Sequence, residues 1–188
     1  MNDHLILIRH SLPEIKEDMP AREWRLSEEG RERAHRLAEK IRIYPFEVLV
    51  SSVETKALET AEIIATKCGM SLQIVEGLHE HERSQVPFLS RPEFEAAVQD
   101  FFDQPDVLVF GDETADAAYQ RFSSAVFSVL TGWNGKSSVI VSHGTVISLF
   151  VSRLTGEPSN YIWKELGLPG FVVLDLKLKS LIAIENIL

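Results

Sequence analysis

Cysteine is nearly absent: the 188 residues hold one, Cys68. That excludes an intrachain disulfide and a zinc cage built from cysteines. No apolar run approaches the roughly 18 residues needed to cross a bilayer. The opening Met1-Asn2-Asp3-His4 lacks the basic start and long apolar stretch of a secretory leader, so a cytoplasmic protein is expected. Positive charge is also scarce, with 19 Lys+Arg against 28 Asp+Glu and a formal net charge of −9. No basic stripe runs along the chain, and Asp100–Gln120 carries six acids and no bases. Nucleic acid and an anionic membrane surface are therefore not expected partners. Repeats, low-complexity tracts and Gly/Ser linkers are missing as well, which points to a single domain over 1–188.

What is present is a 45% hydrophobic chain whose apolar residues fall into short branched runs. Leu5–Ile8, Phe46–Val50 and Ser138–Val141 read as buried strands, and Leu72–Val75 as a further short strand. Between them, helices are predicted from Ser27 to about Ile43, from Glu54 to about Lys67, over Glu93–Phe102, over Thr114–Leu130 and over Thr145–Leu154. Ser27 and Thr114 are placed as N-caps and Gly69 as a stop. Phe171–Leu176 and Leu181–Ile187 are predicted as a closing antiparallel pair, whose apolar edge allows a homodimer. Strands alternating with helices predict an α/β fold: a three-layer sandwich with a largely parallel central sheet and helices on both faces. Gly77–Pro92 shows no clear period, and 77–112 is assigned to substrate specificity.

In such sheets ligands sit beyond the carboxyl ends of the strands. Three of those ends carry Arg9-His10, Ser51-Ser52 and Ser142-His143, and Lys56 follows one turn into the next helix. Two histidines among cations suit a phosphoryl group better than a metal. At about 4 Å and an effective dielectric near 20, each cation gains roughly 4 kcal/mol per unit of phosphate charge. The same cations favour a neutral imidazole, the form that attacks phosphorus. Gly135-Lys136-Ser137 imitates the end of a P-loop. Leu130 stands where that motif needs glycine, and the segment leads from helix into strand, so it is a turn.

Leu7-Ile8-Arg9-His10 resembles the opening signature of the histidine phosphatase superfamily, which includes phosphoglycerate mutase-like enzymes. Leu26–Ala34 resembles its first-helix motif. Ser51-Ser52 with Lys56-Ala57 and Thr60-Ala61 resembles its second motif, Leu78-His79-Glu80 its acid-bearing loop, and Val141–Gly144 its last. Gly111–Thr114 with Arg121 is similar to a further stretch of that family.

The resemblance implies a phosphoglycerate mutase-like fold and a phosphohistidine intermediate. His10 is the implied nucleophile, Arg9, Lys56 and His143 the implied phosphate ligands, and Glu80 the implied general acid. No cofactor or metal is implied, and the expected partner is a small phosphorylated substrate. Ser11 stands where the family usually has glycine and Lys56 where it usually has arginine. Ser11 Oγ is offered as an extra donor and Arg83 as the missing fork. Glu82 competes with Glu80 for the acid role; an extended His79–Arg83 would put the two acids on one face and His79, His81 and Arg83 on the other.

The first expectation is a metal-independent phosphomonoesterase. A mutase-type phosphotransferase, a protein-phosphohistidine phosphatase, a non-catalytic phosphometabolite sensor and a hydrolase using metal at His79 and His81 remain as alternatives.

Overall fold

Leu5, Ile6, Leu7 and Ile8 have no polar side chain to offer water, and in the computed structural model, which describes residues 4–187, all four are buried. They form the middle of β1 (His4–Arg9), the strand at the heart of a six-stranded sheet. The expectation about the amino-terminal start rests largely on residues 1–3, outside the described residues. Alternation along β1 sends Leu5 and Leu7 into one apolar cluster and Ile6 and Ile8 into another, so both faces of the sheet are covered.

The sheet continues with β2 (Val48–Ser51), β3 (Leu72–Ile74), β4 (Ser138–Ser142), β5 (Gly170–Asp175) and β6 (Ser180–Asn186), in the spatial order β3-β2-β4-β1-β5-β6. The first four of that order run parallel, while β5 pairs antiparallel with both β1 and β6. Helices α1 (Glu28–Ile41) and α2 (Thr55–Cys68) bury Leu37, Ile41 and Ile64 against one face. Helices α3 (Arg91–Asp103), α4 (Ala115–Gly132), α5 (Gly144–Thr155) and α6 (Ser159–Glu165) supply Phe101, Phe122, Phe150 and Ile162 to the other. This is the three-layer α/β sandwich read from the sequence, and the closing antiparallel pair is in place.

The caps follow the predicted chemistry. Ser27 Oγ accepts from the Gly30 N–H at 2.9 Å, and Thr114 Oγ1 accepts from the Ala117 N–H at 3.1 Å. Gly135-Lys136-Ser137 is the turn between α4 and β4, with Gly135 at φ 71°.

Two features differ from the sequence reading. Helix α6, only seven residues long, was not predicted. It begins after Pro158 and buries Ile162, leaving Trp163 half-exposed. The His79–Arg83 segment is not a strand, so its residues do not alternate between two faces. Among the described residues no helix is long and apolar enough to cross a membrane.

The strand order positions the site. β2, β4 and β1 are adjacent and parallel, so their carboxyl ends open on one rim. A surface concavity lined by His4, Leu130, Gly135, Lys136, Leu176 and Lys177 lies at the opposite, amino-terminal ends of β1 and β4.

Candidate active site

At the end of β1, the His10 N–H donates to the Ser142 carbonyl at 2.9 Å, tying the two histidine-bearing strands together. The His10 and His143 rings lie 5.2 Å apart between centroids and are inclined by 59°. His10 Nδ1 sits 2.7 Å from the Ser11 carbonyl oxygen. A carbonyl only accepts, so Nδ1 carries the proton and donates, and Nε2 is left with its lone pair. Burial pushes the His10 imidazole well below its usual range, and Lys56, His143 and Arg9 push the same way against the Ser11 contact. The ring is therefore neutral at physiological pH.

His143, at the N-cap of α5, is fully buried, with Nε2 2.9 Å from Ser52 Oγ and 3.7 Å from Glu54 Oε1. Burial lowers it to about 4; Glu54 and Glu80 oppose the shift, and Lys56 and Arg83 reinforce it. Arg9 donates from Nη1 to the Leu166 carbonyl at 2.7 Å and packs over Trp163, with 5.7 Å to the ring centroid. Burial lowers its guanidinium to about 10, so it stays charged near neutrality. The guanidinium also lies against Gly144, where a Cβ would come within 2.9 Å of Arg9 Nε. Glycine at the start of α5 is what lets Arg9 lie there.

The acid loop is hung from β4 through Ser142 Oγ, which donates to the Leu78 carbonyl at 2.7 Å. Glu80 turns inward. Its Oε2 accepts from the Thr145 N–H and its Oε1 from the Val146 N–H, both at 3.3 Å, and Oε1 also accepts from the His81 N–H at 3.0 Å. A carboxylate is thus seated on the amino end of α5, where backbone N–H groups favour anions. Burial raises the Glu80 carboxyl, but His143, Arg83 and the His81 N–H outweigh it and hold it below the usual range. Glu82 is exposed and paired with His79 at 3.1 Å. Of the two candidate acids, only Glu80 lies at the histidine pair.

Arg83 rests on the Phe94 ring, 4.9 Å from its centroid, and lies close enough for its charge to act on Arg9, Glu80 and His143. Arg9 Nε, Arg83 Nη1, His143 Nδ1 and Thr145 Oγ1 are all buried without a protein hydrogen-bond partner. Buried polar groups ordinarily have partners. Four orphans on residues tied to Glu80 and α5, three of them on basic side chains, fit an anion.

Lys56 is also buried, but not free. Its Nζ donates to Glu54 Oε2 at 2.5 Å and to the Ala21 carbonyl at 2.7 Å. Burial raises the Glu54 carboxyl, but His143, Lys56 and the Glu80 N–H together hold it far below the usual range. Glu54 is the site residue the sequence reading missed. The available signal was an acid two residues before Lys56, directly after the Ser51-Ser52 strand end.

Ser11 is placed differently from the expectation. Its Oγ donates to the Gly30 carbonyl at 2.6 Å and its N–H to Thr60 Oγ1 at 3.0 Å, with no exposure. The hydroxyl proton is engaged with α1, so Ser11 fastens β1 to α1 and has none left for a bound anion. His81 likewise faces inward, donating from Nε2 to the Phe110 carbonyl at 2.7 Å and packing on Phe101 at 4.1 Å. Among the described residues no three His, Cys, Asp or Glu side chains are arranged to hold a metal ion, and the pair His79–His81 does not converge.

The buried neutral histidine couples stability to pH. Between 6.5 and about 4, an unfolded His143 binds a proton that the folded one refuses. Stability is full above 6.5 and declines as pH falls through that window, by on the order of 3 kcal/mol for this group. His10 acts in the same direction, and the lowered carboxyls of Glu54 and Glu80 add a further loss only below about 4.5. Urea midpoints measured from pH 7 to 4 are expected to fall accordingly, and to fall less steeply in His143→Gln.

Known proteins are similar to this chain in sequence and in backbone. The chain is 28% identical over 145 residues to the probable phosphoglycerate mutase GpmB of Salmonella paratyphi A, a match covering 74% of this chain and 66% of that one. It thus spans just under two thirds of that relative's length. In backbone it is similar to the phosphoserine phosphatase of Entamoeba histolytica solved with 3-phosphoglyceric acid, with TM-score 0.77, 21% identity and coverage of 97% and 96% of the two chains. It is also similar to a mycobacterial glucosyl-3-phosphoglycerate phosphatase, with TM-score 0.75, 19% identity and coverage of 90% and 88%. At such identities the two structures bear on the fold alone. Residues 5–177, most of the chain, match the sequence pattern of one family: the chain belongs to the histidine phosphatase superfamily (branch 1).

Proposed function

We propose that this protein hydrolyses phosphomonoesters of small metabolites through a phosphohistidine on His10, using side-chain cations in place of metal ions. The observation that carries this is the bare Nε2 of a neutral His10, fixed by its Nδ1–H bond to Ser11 and facing His143 among buried, partly unpartnered donors. Preorganised donors of this kind stabilise the charge on a transferring phosphoryl group without reorganising during the reaction.

The steps balance with the residues present. His10 Nε2 attacks phosphorus, the P–O bond to the alcohol breaks, and protonated Glu80 gives its proton to the leaving oxygen. Water then attacks the phosphohistidine, Glu80 takes the water's proton, and the P–N bond breaks to return His10 and free phosphate. Arg9, Arg83 and His143 hold the three equatorial oxygens, with Lys56 beside them. At rest Glu80 is ionised. Its proton therefore arrives with the substrate monoanion, whose second pKa lies near 6. Specificity rests on 77–112, the segment in which Arg83 lies over the Phe94 ring.

A mutase-type transfer is the second reading, favoured by the name of the curated relative. The two separate in one assay. Phosphate release from p-nitrophenyl phosphate in excess chelator, together with no conversion of 3-phosphoglycerate in the presence of its bisphosphate, is the expected result. Activity abolished by the chelator, or phosphoryl transfer without net hydrolysis, contradicts it.

A further inference from the structure

Glu54 has no part in the steps above, yet it touches or faces three of the groups that do. Oε2 takes the Lys56 ammonium at 2.5 Å, Oε1 takes the Glu80 N–H at 2.8 Å, and Oε1 lies 3.7 Å from His143 Nε2. It is nine-tenths buried and held from two sides, so it cannot swing away when a second anion comes in. Lys56 has three N–H donors, and Glu54 and the Ala21 carbonyl engage two of them. The phosphate site is therefore built with an anion already on one of its cations.

We propose that Glu54 is a resident competitor for phosphate, holding Lys56 in an ion pair so that the product anion binds weakly and leaves. The inference rests on the phosphatase reading. Without Glu54, a site of Arg9, Arg83 and Lys56, with His143 as a neutral donor and Glu80 protonated by the hydrolytic step, would retain inorganic phosphate, and release would limit turnover. Glu54 offsets one of those charges at close range, where a unit charge in a buried site changes anion binding by about tenfold or more. A lysine suits this arrangement. Its ammonium is a compact charge that shares its donors between two anions, whereas the planar fork of arginine would claim the phosphate bidentately.

A merely structural Glu54 predicts the opposite sign. Were it present only to anchor Lys56 and the acid loop, removing its charge would loosen both and weaken phosphate binding. The test is calorimetric titration of the full chain with inorganic phosphate at pH 7. Glu54→Gln is expected to bind phosphate about tenfold more tightly than wild type and to show correspondingly stronger product inhibition of p-nitrophenyl phosphate hydrolysis. Lys56→Met alone is expected to bind at least tenfold more weakly. The double variant Glu54→Leu/Lys56→Met removes the buried pair together, a change that folded proteins tolerate well. It is expected to bind within about threefold of wild type, which keeps the test open if Glu54→Gln fails to fold.

Unchanged or weaker binding in Glu54→Gln, or a double variant as weak as Lys56→Met, overturns the inference while leaving hydrolysis intact. A wild-type protein that neither binds phosphate nor hydrolyses any phosphoester removes the phosphatase reading itself.

Discussion

Replacing His10 with alanine is expected to lower phosphate release from p-nitrophenyl phosphate by on the order of 10⁴-fold or more, with the melting transition within a few degrees of wild type. The magnitude follows from what is removed. Arg9, Arg83, Lys56 and His143 can still bind the phosphoryl group, but no lone pair stands behind the phosphorus. Direct attack by water on a bound ester then has to replace covalent catalysis, a loss of the size seen when a nucleophile is deleted from a working constellation. The fold should survive because the backbone bond from residue 10 to Ser142, which ties β1 to β4, is kept in the variant. Inorganic phosphate should still bind, since the donors remain. A His10→Ala protein that retained a tenth of wild-type turnover would mean that the imidazole is not the nucleophile.

Glu80→Gln is expected to separate substrates by their leaving groups. For alkyl phosphates, whose alkoxide cannot depart without a proton, the loss in kcat is expected at about 10²–10⁴-fold. For p-nitrophenyl phosphate, whose phenolate leaves unaided, the first step should be nearly unchanged, and only the hydrolysis of phosphohistidine should slow. A burst of nitrophenolate followed by slow turnover is the signature. The amide still reaches the α5 amino end through its oxygen, so a purely positional Glu80 predicts equal losses for both substrates.

The resting charge of Glu80 gives the pH profile its direction. The carboxyl sits below its ordinary range, and His10 is neutral well below 6.5. Nucleophile and base are therefore both ready at pH 5, and the proton must come from the substrate. In wild type, kcat/KM for alkyl phosphates is expected to fall as pH rises through about 6, where the monoanion loses that proton.

The strand ends were legible in the sequence because their physics is local. Leu5–Ile8, Val48–Val50 and Val139–Val141 are apolar runs that end abruptly at polar residues, and adjacency of parallel strands converts those ends into one rim. Arg9, His10 and His143 follow from that alone. Glu54 was not legible, since its meaning depends on the Glu80 N–H and His143 arriving from 26 and 89 residues further along the chain. Ser11 was misread for a similar reason. Gly30 lets the start of α1 approach so closely that an added Cβ would strike the Leu12 carbonyl, and that approach gives the Ser11 hydroxyl its acceptor. Nothing in the local run Arg9–Pro13 announces it. The choice between Glu80 and Glu82 could not come from alternation, because the segment follows its anchors at Ser142 and Phe110 and not a strand period. Helix α6 is too short to show a period, although its end supplies the Leu166 carbonyl that holds Arg9.

The most direct measurement is a rapid quench, under neutral or basic conditions, of the protein mixed with phosphorus-labelled p-nitrophenyl phosphate, followed by peptide mapping. Acid-labile, base-stable label on the peptide carrying His10, formed as fast as nitrophenolate is released and missing from His10→Ala, is the predicted result. Label that resists acid, label on any other residue, or a burst of nitrophenolate with no protein-bound phosphorus would contradict it.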